Sequence, residues 1–426
     1  MKLLNFALST AAYGDTLIGL SFTDQIRRPG IEQHFVISEA AVPLVSSRGY
    51  DYTVLKASGS RSAEEQIDAC IRQFRPDAVV LADYLNYWGT LIRQYDTDPW
   101  FIDRYGLPLL PIDIWEWENT PFRFDVCGRD YEREISKRIL GMEAHLRPVP
   151  VGHLTPGPSG RGLPYRIMDP EPCPDTAKRR RLRADLGLAS RDRLVMIPVS
   201  AWQQPDENTP GATDMMRRLA NRVPDLLIHY LGRLPATTRF VFVGHVPPAF
   251  RNLPPEQVRV LPLCPPNEYR DLLAVSDLVL SLSLTALTMV RAVLMDIPSL
   301  VISNRFRVAG PADIEKVSVE LGSLTDTARS WLTETAPIAP FRQWPKGLYD
   351  FVQRLFDGND YLDTLGHGEL LDEENTVARL TELLYDPPAQ QRLAGARSAY
   401  LDRLAALPPT LDVFAEAARR VGLSMP

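Results

Sequence analysis

Short apolar runs alternate with longer amphipathic stretches through the first part of the chain. Leu3–Leu8 and Gln33–Ser38 have the length and composition of buried strands, and a helix is predicted between them from about Thr16 to Arg28. The strand pattern returns at Pro76–Asp83 and at Leu107–Asp113. Parallel strands joined by a helix require a right-handed crossover, so this order predicts an open parallel β-sheet.

Proline and glycine break this rhythm between about His145 and Thr176, where little regular structure is predicted. Apolar strands return at Leu194–Val199 and Arg239–Gly244, and helical patterns fill the sequence beyond Asn375. We therefore predict an N-terminal α/β domain, a second α/β domain, and terminal helices that pack back on the first domain, with bounds at residues 1–175, 176–388 and 389–426.

The segment from Tyr269 to Asn304 has the most informative pattern in the chain. It predicts a helix, a strand at Leu278–Leu282, a turn rich in hydroxyl side chains at Ser281–Thr288, and a helix that ends near Met295. A helix that begins directly after a parallel strand presents unpaired backbone N–H groups and the positive end of its dipole. These features suit a phosphate group.

Charge and cysteine content exclude some kinds of partner and site. The 426 residues carry 47 Lys and Arg against 53 Asp and Glu, so the net charge of −6 argues against nucleic acid as the main partner. The basic run Lys178–Arg183 is therefore interpreted as the solvated face of a short helix, Thr176–Leu186. Four widely separated cysteines indicate neither a zinc site nor a disulfide framework.

Two further features concern location. The apolar run within Met1–Leu8 is short and lacks the basic n-region of a signal peptide, and no stretch approaches the roughly 20 apolar residues that span a bilayer. We expect a cytoplasmic protein without a transmembrane segment. The 37 prolines and the Ala/Arg/Leu-rich helices suggest a bacterial source, and the sequence does not predict an oligomeric state.

Several of these motifs resemble GT-B glycosyltransferases. The turn Gly14-Asp15-Thr16, the strand that ends at Asp83 and the segment Leu272–Pro298 carry the resemblance. It is strongest to the bacterial transferases that add N-acetylglucosamine to lipid-linked muramyl precursors and to their natural-product relatives. The resemblance implies an α/β fold with two Rossmann-like parallel-sheet domains facing across a cleft.

The resemblance also implies an activity. A metal-independent, inverting transferase would move a sugar from a nucleotide-sugar, UDP- or dTDP-linked, to a small-molecule acceptor, with a role in specialised metabolism. The nucleotide-sugar is a co-substrate, and neither a further cofactor nor a metal is expected. Two alternatives are another GT-B enzyme, such as a sugar-nucleotide epimerase or hydrolase, and a repurposed protein without catalysis.

The donor site is implied on the second domain. Its expected residues border the diphosphate or the base: Ser200, Trp202, Gln203, His245, Leu263, Ser283, Thr285, Leu287 and Thr288. For Trp202, stacking on a base or sugar and a place in the site wall are both open. For His245, a phosphate contact and a hydrogen bond within its loop are both open.

Arg291 departs from the family pattern. Many of these transferases have an acid at this place on the helix, where it binds the donor ribose. Arginine cannot accept a hydrogen bond, although its guanidinium offers a bidentate fork to phosphate. Arg291 is therefore assigned to the donor site, with an altered donor or a lost activity as the alternatives.

Catalysis by inversion needs a base near the acceptor. Asp15 is the first candidate because it follows the first strand, and it is equally placed to cap the helix that begins there. Asp83 and Asp113, at the ends of other strands, are the second candidates. The acceptor is expected to contact side chains at the carboxyl ends of the same sheet, namely Tyr13, Gly14, Tyr84, Asn86, Trp115 and Trp117.

Overall fold

The computed structural model describes residues 1–8, 14–58, 60–123, 125–126, 129–130, 134–170, 175–199, 214–338 and 349–426. The strands in its first half are β1 (Lys2–Ala7), β2 (Glu32–Ile37), β3 (Asp51–Val54), β4 (Ala78–Leu81), β5 (Leu109–Pro111), β6 (Asp125–Val126), β7 (Arg129–Asp130), β8 (His145–Val149) and β9 (Gly162–Arg166). The helices of that half are α1 (Gly14–Gln25), α2 (Val42–Ser47), α3 (Ala63–Phe74) and α4 (Tyr84–Tyr95).

The first sheet is parallel and has the strand order β3-β2-β1-β4-β5. The parallel pair β8 and β9 extends it, because a bridge between Ile112 and Leu146 places β8 beside the end of β5. All four residues of β4 are buried, as expected for a central strand covered on both faces. The short pair β6–β7 is antiparallel and separate.

The second half contains a six-stranded parallel sheet in the order β12-β11-β10-β13-β14-β15. Its strands are β10 (Arg193–Val199), β11 (Thr238–Gly244), β12 (Val258–Leu261), β13 (Leu278–Ser281), β14 (Ser299–Ser303) and β15 (Gly366–Glu369). Its helices are α5 (Thr176–Asp185), α6 (Asp214–Gly232), α7 (Pro266–Val275), α8 (Leu287–Leu294), α9 (Pro311–Glu320), α10 (Asp326–Thr335), α11 (Tyr349–Phe356), α12 (Glu373–Tyr385), α13 (Pro387–Ala405) and α14 (Thr410–Arg420).

Helix α14 lies on the first half of the molecule. Its Phe414 ring packs edge-on against Phe22 of α1, with the ring centroids 5.9 Å apart. The Thr410 hydroxyl donates to Gln25 Oε1 at 2.7 Å. The last helix therefore belongs to the core of the first sheet, while the exact boundary between the two halves stays a prediction.

Two arginines of the basic run on α5 are half-buried and make specific contacts, whereas Arg180 and Arg181 are exposed as predicted. Arg179 and Arg183 both contact the carboxylate of Asp277, at 3.0 and 2.9 Å. They also donate to the carbonyl oxygens of Ala274 and Val275, in the last turn of α7. Cations at a helix C-terminus satisfy its unpaired carbonyl groups, so these arginines fasten α5 to α7.

The α/β class with two parallel sheets is confirmed. Within the described ranges, no helix is both long and apolar enough to cross a membrane.

Candidate functional site

The carboxyl ends of the first sheet bring three predicted residues together. Asp83 caps α4, its Oδ1 accepting from the backbone N–H groups of Leu85 at 2.8 Å and Asn86 at 3.3 Å. The Asn86 amide donates to Asp83 Oδ2 at 2.7 Å and to Asp15 Oδ2. Asp15 lies in the first turn of α1 and is half-buried. Asn86 thus bridges the two carboxylates that were predicted as candidate bases.

Asp83 is the deeply buried member of this pair. It is 3% exposed, and burial raises the pKa of its carboxyl group to about 6. Hydrogen bonds from the backbone of Asn86 and Leu85, from the Asn86 amide and with Asp15 oppose this rise. Two carboxyl groups in contact cannot both ionise easily, so the pair retains a proton to higher pH than a lone aspartate.

Replacing Asp83 by asparagine should shift the difference in stability in favour of the variant as the pH rises from about 4 to about 6. Because the folded pKa lies above the unfolded one, the wild type loses stability over that window, by about 2–3 kcal/mol for a shift of this size. Asparagine still caps α4 but does not ionise. Unfolding midpoints in urea at pH 4 and pH 7.5 measure the difference.

Asp98→Asn is the matched control, since Asp98 is an exposed cap whose carboxylate accepts from Trp100 N–H at 3.0 Å. An Asp83→Asn variant with the same pH dependence as the wild type would contradict a raised pKa at Asp83.

Three other predicted residues lie in the core instead of at a surface. Asp113 is 1% exposed, and its carboxylate contacts His145 Nδ1 at 3.1 Å and the backbone N–H of Trp117 at 3.2 Å. Trp117 is stacked on Phe122, and the buried Tyr84 hydroxyl donates to a backbone carbonyl at 2.8 Å. This placement corrects the predicted contacts with substrate for Asp113, Tyr84 and Trp117, since a residue at a strand end can still point inward.

The remaining acceptor-side residues differ in what the structure describes. Gly14 is the first residue of α1, and a Cβ atom there would meet nothing within 4 Å. Trp115 is half-buried. Tyr13 lies outside the described residues.

A buried ionic cluster near this edge was missed by the sequence analysis. The Arg147 side chain is 1% exposed and contacts Glu118 at 2.9 Å and Glu116 at 4.0 Å. Gly162 provides the space, because a Cβ atom there would lie 2.5 Å from the guanidinium carbon of Arg147. The sequence Trp-Glu-Trp-Glu after β5 contains both acids of this cluster. No pattern in the neighbouring sequence identifies the arginine that pairs with them.

On the second sheet, hydroxyl groups line the turn between β13 and α8. Ser283 is 6% exposed, its N–H donates to Ser281 Oγ at 3.1 Å, and its hydroxyl lies 3.5 Å from that of Thr285. No described side chain caps α8, whose N-cap residue is Ala286. The N–H groups at the start of α8, at Leu287 and its neighbour, are therefore available to an anion.

Thr288 and Arg291 follow within the first turns of α8. Thr288 Oγ1 lies 2.5 Å from the Tyr269 hydroxyl, whose pKa burial raises to about 12. Arg291 is half-buried, and its Nε is buried without a hydrogen-bond partner among the residues that the structure describes. A guanidinium in this state, on the same helix as the uncapped N–H groups, can bind an anionic ligand.

Two donor-site predictions fall at other strand ends. His245 is exposed after β11, and its backbone N–H donates to Val199 O at 3.1 Å. Leu263 is 52% exposed and lines a cavity of about 440 Å³ between α5, α7 and the end of β12. The residues that line this cavity do not include those of the Ser283 turn. Ser200, Trp202 and Gln203 lie outside the described residues.

Known proteins resemble this chain in fold. A model of a family of unknown function (DUF6365) matches residues 22–422. A search of curated protein sequences finds no match. Among solved structures, the chain is similar to the spinosyn forosaminyltransferase SpnP, with 14% identity, 99% of each chain covered and a TM-score of 0.53.

Two further solved structures are similar over the whole chain. Anabaena Alr3699/HepE in complex with UDP and glucose has 14% identity, 98% and 99% coverage and a TM-score of 0.55. CalG4, the calicheamicin glycosyltransferase, has 11% identity, 99% coverage of each chain and a TM-score of 0.52. At these identities the likeness shows the fold, and the predicted GT-B architecture is confirmed.

Proposed function

The chain belongs to the family of unknown function (DUF6365), and we propose that it is a metal-independent, inverting glycosyltransferase that uses a nucleotide-sugar and a small-molecule acceptor. One observation carries this proposal. Asn86 holds the Asp15 and Asp83 carboxylates together at the carboxyl ends of the first sheet of a GT-B fold. A half-buried carboxylate beside a buried partner is suited to take a proton from an acceptor group.

In the proposed reaction, Asp15 accepts the proton of the acceptor hydroxyl. The acceptor oxygen forms a bond to the anomeric carbon as the bond from that carbon to the diphosphate oxygen breaks. Asp15 is the base because it is the more exposed of the two carboxylates, while the buried Asp83 and Asn86 orient it. A single displacement of this kind inverts the configuration at the sugar.

The leaving diphosphate would be stabilised on the second half of the molecule. The uncapped start of α8, the hydroxyl groups of Ser283 and Thr285, and the Arg291 guanidinium supply donors and positive charge. Neutral donors and one cation can hold a diphosphate in place of a metal ion. We propose UDP or dTDP as the carrier and a specialised metabolite as the acceptor, in a cytoplasmic enzyme of bacterial origin.

A nucleoside diphosphate should therefore stabilise the protein against heat, and Arg291→Glu should weaken that binding by about tenfold or more. The substitution removes a cation from the anion site and adds a like charge, which costs at least about 1.4 kcal/mol. Titration calorimetry with UDP, dTDP and GDP measures the affinity, supported by thermal shift.

Arg251→Glu makes the same change of charge at an exposed position of the second half and should leave the affinity unchanged. Absence of stabilisation by any of the three nucleotides would overturn the transferase proposal. Conversion of a nucleotide-sugar in the absence of any acceptor would replace it by epimerisation or hydrolysis.

A further inference from the structure

His153 joins the two halves of the molecule through both nitrogens of its ring. Its Nδ1 lies 2.8 Å from Glu116 Oε2, at the carboxyl edge of the first sheet. Its Nε2 lies 2.9 Å from the carbonyl oxygen of Asp357, which follows α11 and precedes β15 of the second sheet. The imidazole therefore bridges two parts of the chain, since His153 and Asp357 are 204 residues apart.

The two contacts fix the protonation state of the ring. A carboxylate and a carbonyl oxygen are both acceptors only, so both hydrogen bonds require an N–H on each ring nitrogen. The backbone N–H of His153 also donates to Glu116 Oε1, at 2.6 Å. Glu116 thus contacts His153 at two points. The backbone of Glu116 has a left-handed φ of 50°, which is unusual for a residue other than glycine. Such conformations persist where surrounding contacts enforce them.

The charges around His153 also favour the protonated imidazole. The buried Glu116 and Glu118 carry two negative charges, and Arg147 supplies one positive charge. A cationic His153 makes the four groups neutral. Burying an uncompensated charge is costly, so the cluster is most stable when the imidazole is protonated.

A second hydrogen bond, close to the Asp357 contact, holds residues 357–360 to the first half. The Asn359 amide donates to Val151 O at 2.9 Å, while Asp360 pairs with Arg403 of α13. Residues 357–360 therefore connect the end of β8 with the terminal helices. If the contact between His153 and Asp357 is lost, the hydrogen bond from Asn359 to Val151 still joins this segment to the first half.

We propose that His153 is a positioning residue that fastens the 357–365 segment to the first sheet as an imidazolium, and that loss of its proton releases the Asp357 contact. Because β15 follows this segment directly, the state of His153 influences how firmly the edge of the second sheet is held against the first half. The cation is part of the structural joint and does not act on a substrate.

The electrostatic environment sets the direction of the pH dependence. The hydrogen bond with Glu116 raises the pKa of His153, and burial opposes this rise. Burial alone would raise the pKa of Glu116, but the His153 hydrogen bonds and the Arg147 charge outweigh it and lower that pKa. Glu118 faces Arg147, and Asp357 contributes its carbonyl oxygen and is exposed.

The contacts of His153 with Glu116 and Asp357 should thus both be formed at pH values between the lowered pKa of Glu116 and the raised pKa of His153. A group with a raised folded pKa contributes stability below its unfolded value, about 6.5 for histidine, and loses it as the pH rises through the folded value. The contact to Asp357 should therefore open on the alkaline side.

Hydrogen exchange of the unliganded full chain tests this directly. The amides of Tyr361, Leu362, Thr364 and Leu365 are hydrogen-bonded within the segment that His153 holds. After correction for the intrinsic effect of pH, their protection should fall by about tenfold as His153 deprotonates, the size expected for one charge-assisted hydrogen bond. His153→Gln should show the lower protection at every pH.

A second variant keeps the test informative should His153→Gln fold poorly. Glu116→Gln removes the charge that raises the pKa of His153, so the fall in protection should move to lower pH. Carbon-13 labelling of the six histidines allows the titration of His153 to be followed by NMR. His229→Gln is the matched control, because His229 is exposed on α6 and lies outside the segment whose amides are followed.

Two results would overturn the proposal: protection of this segment that does not change with pH in the wild type, or a His153 pKa at or below the value of an unfolded histidine. No nucleotide-sugar is present in either measurement. A failure of this proposal can therefore be distinguished from a failure of the proposed transferase activity.

Discussion

Replacing Asp15 by asparagine should lower kcat for sugar transfer by about 10²- to 10⁴-fold, the usual contribution of a general base. Asparagine occupies the same volume and still accepts the hydrogen bond from Asn86, but it cannot take a proton from the acceptor. Initial rates with a nucleotide-sugar and an acceptor measure the effect. The unfolding midpoint should change little, because Asp15 is half-buried at the start of α1.

Asp24→Asn provides the comparison on the same helix. Asp24 pairs with Arg48 at 2.7 Å and lies at the other end of α1. Its replacement should leave kcat near the wild-type value. Near-normal turnover by a well-folded Asp15→Asn variant would exclude Asp15 as the base and return attention to Asp83.

Arg147→Met should lower the free energy of unfolding by about 3–5 kcal/mol, which is typical when one partner of a buried ion pair is removed. The change leaves Glu116 and Glu118 buried with His153 as their remaining cation. Methionine fills part of the space between these residues and Gly162, so the loss reflects charge more than volume. Urea unfolding followed by circular dichroism measures the loss.

The surface offers a matched arginine. Arg104 contacts Glu64 and Asp68 with its side chain 42% exposed, and Arg104→Met should have a much smaller effect because exposed ion pairs are screened by water. An equally small effect at Arg147 would mean that the buried cluster contributes little to stability.

Much of the fold was predictable because its signals are local. The apolar run Leu3–Leu8 becomes β1 at Lys2–Ala7, and the stretch predicted at Leu278–Leu282 becomes β13. Each boundary is correct to within about one residue, since buried parallel strands are short apolar segments that turns delimit on both sides. The carboxyl ends of such strands meet at one edge, which explains why Asp15, Asp83 and Asn86 were predicted on the same side.

Side-chain direction was the less predictable part. Asp113 follows β5 as Asp83 follows β4, yet Asp113 turns inward to His145, a residue 32 positions later in the chain. The pairing of Glu116 with His153 likewise depends on β8 adding to the sheet beside β5. Contacts of this kind arise from topology, and no spacing along the sequence encodes them.

The position of α14 has a consequence for synthesis. The strands that it covers are complete at Arg166, whereas α14 begins only at Thr410. At about 5–20 residues per second, roughly 10–50 s separate the two on the ribosome. During that interval the apolar surface around Phe22 and Tyr165 lacks the Phe414 side of its core. The half of the molecule that is translated first therefore completes its core last, and part of its apolar surface stays exposed until α14 is synthesised.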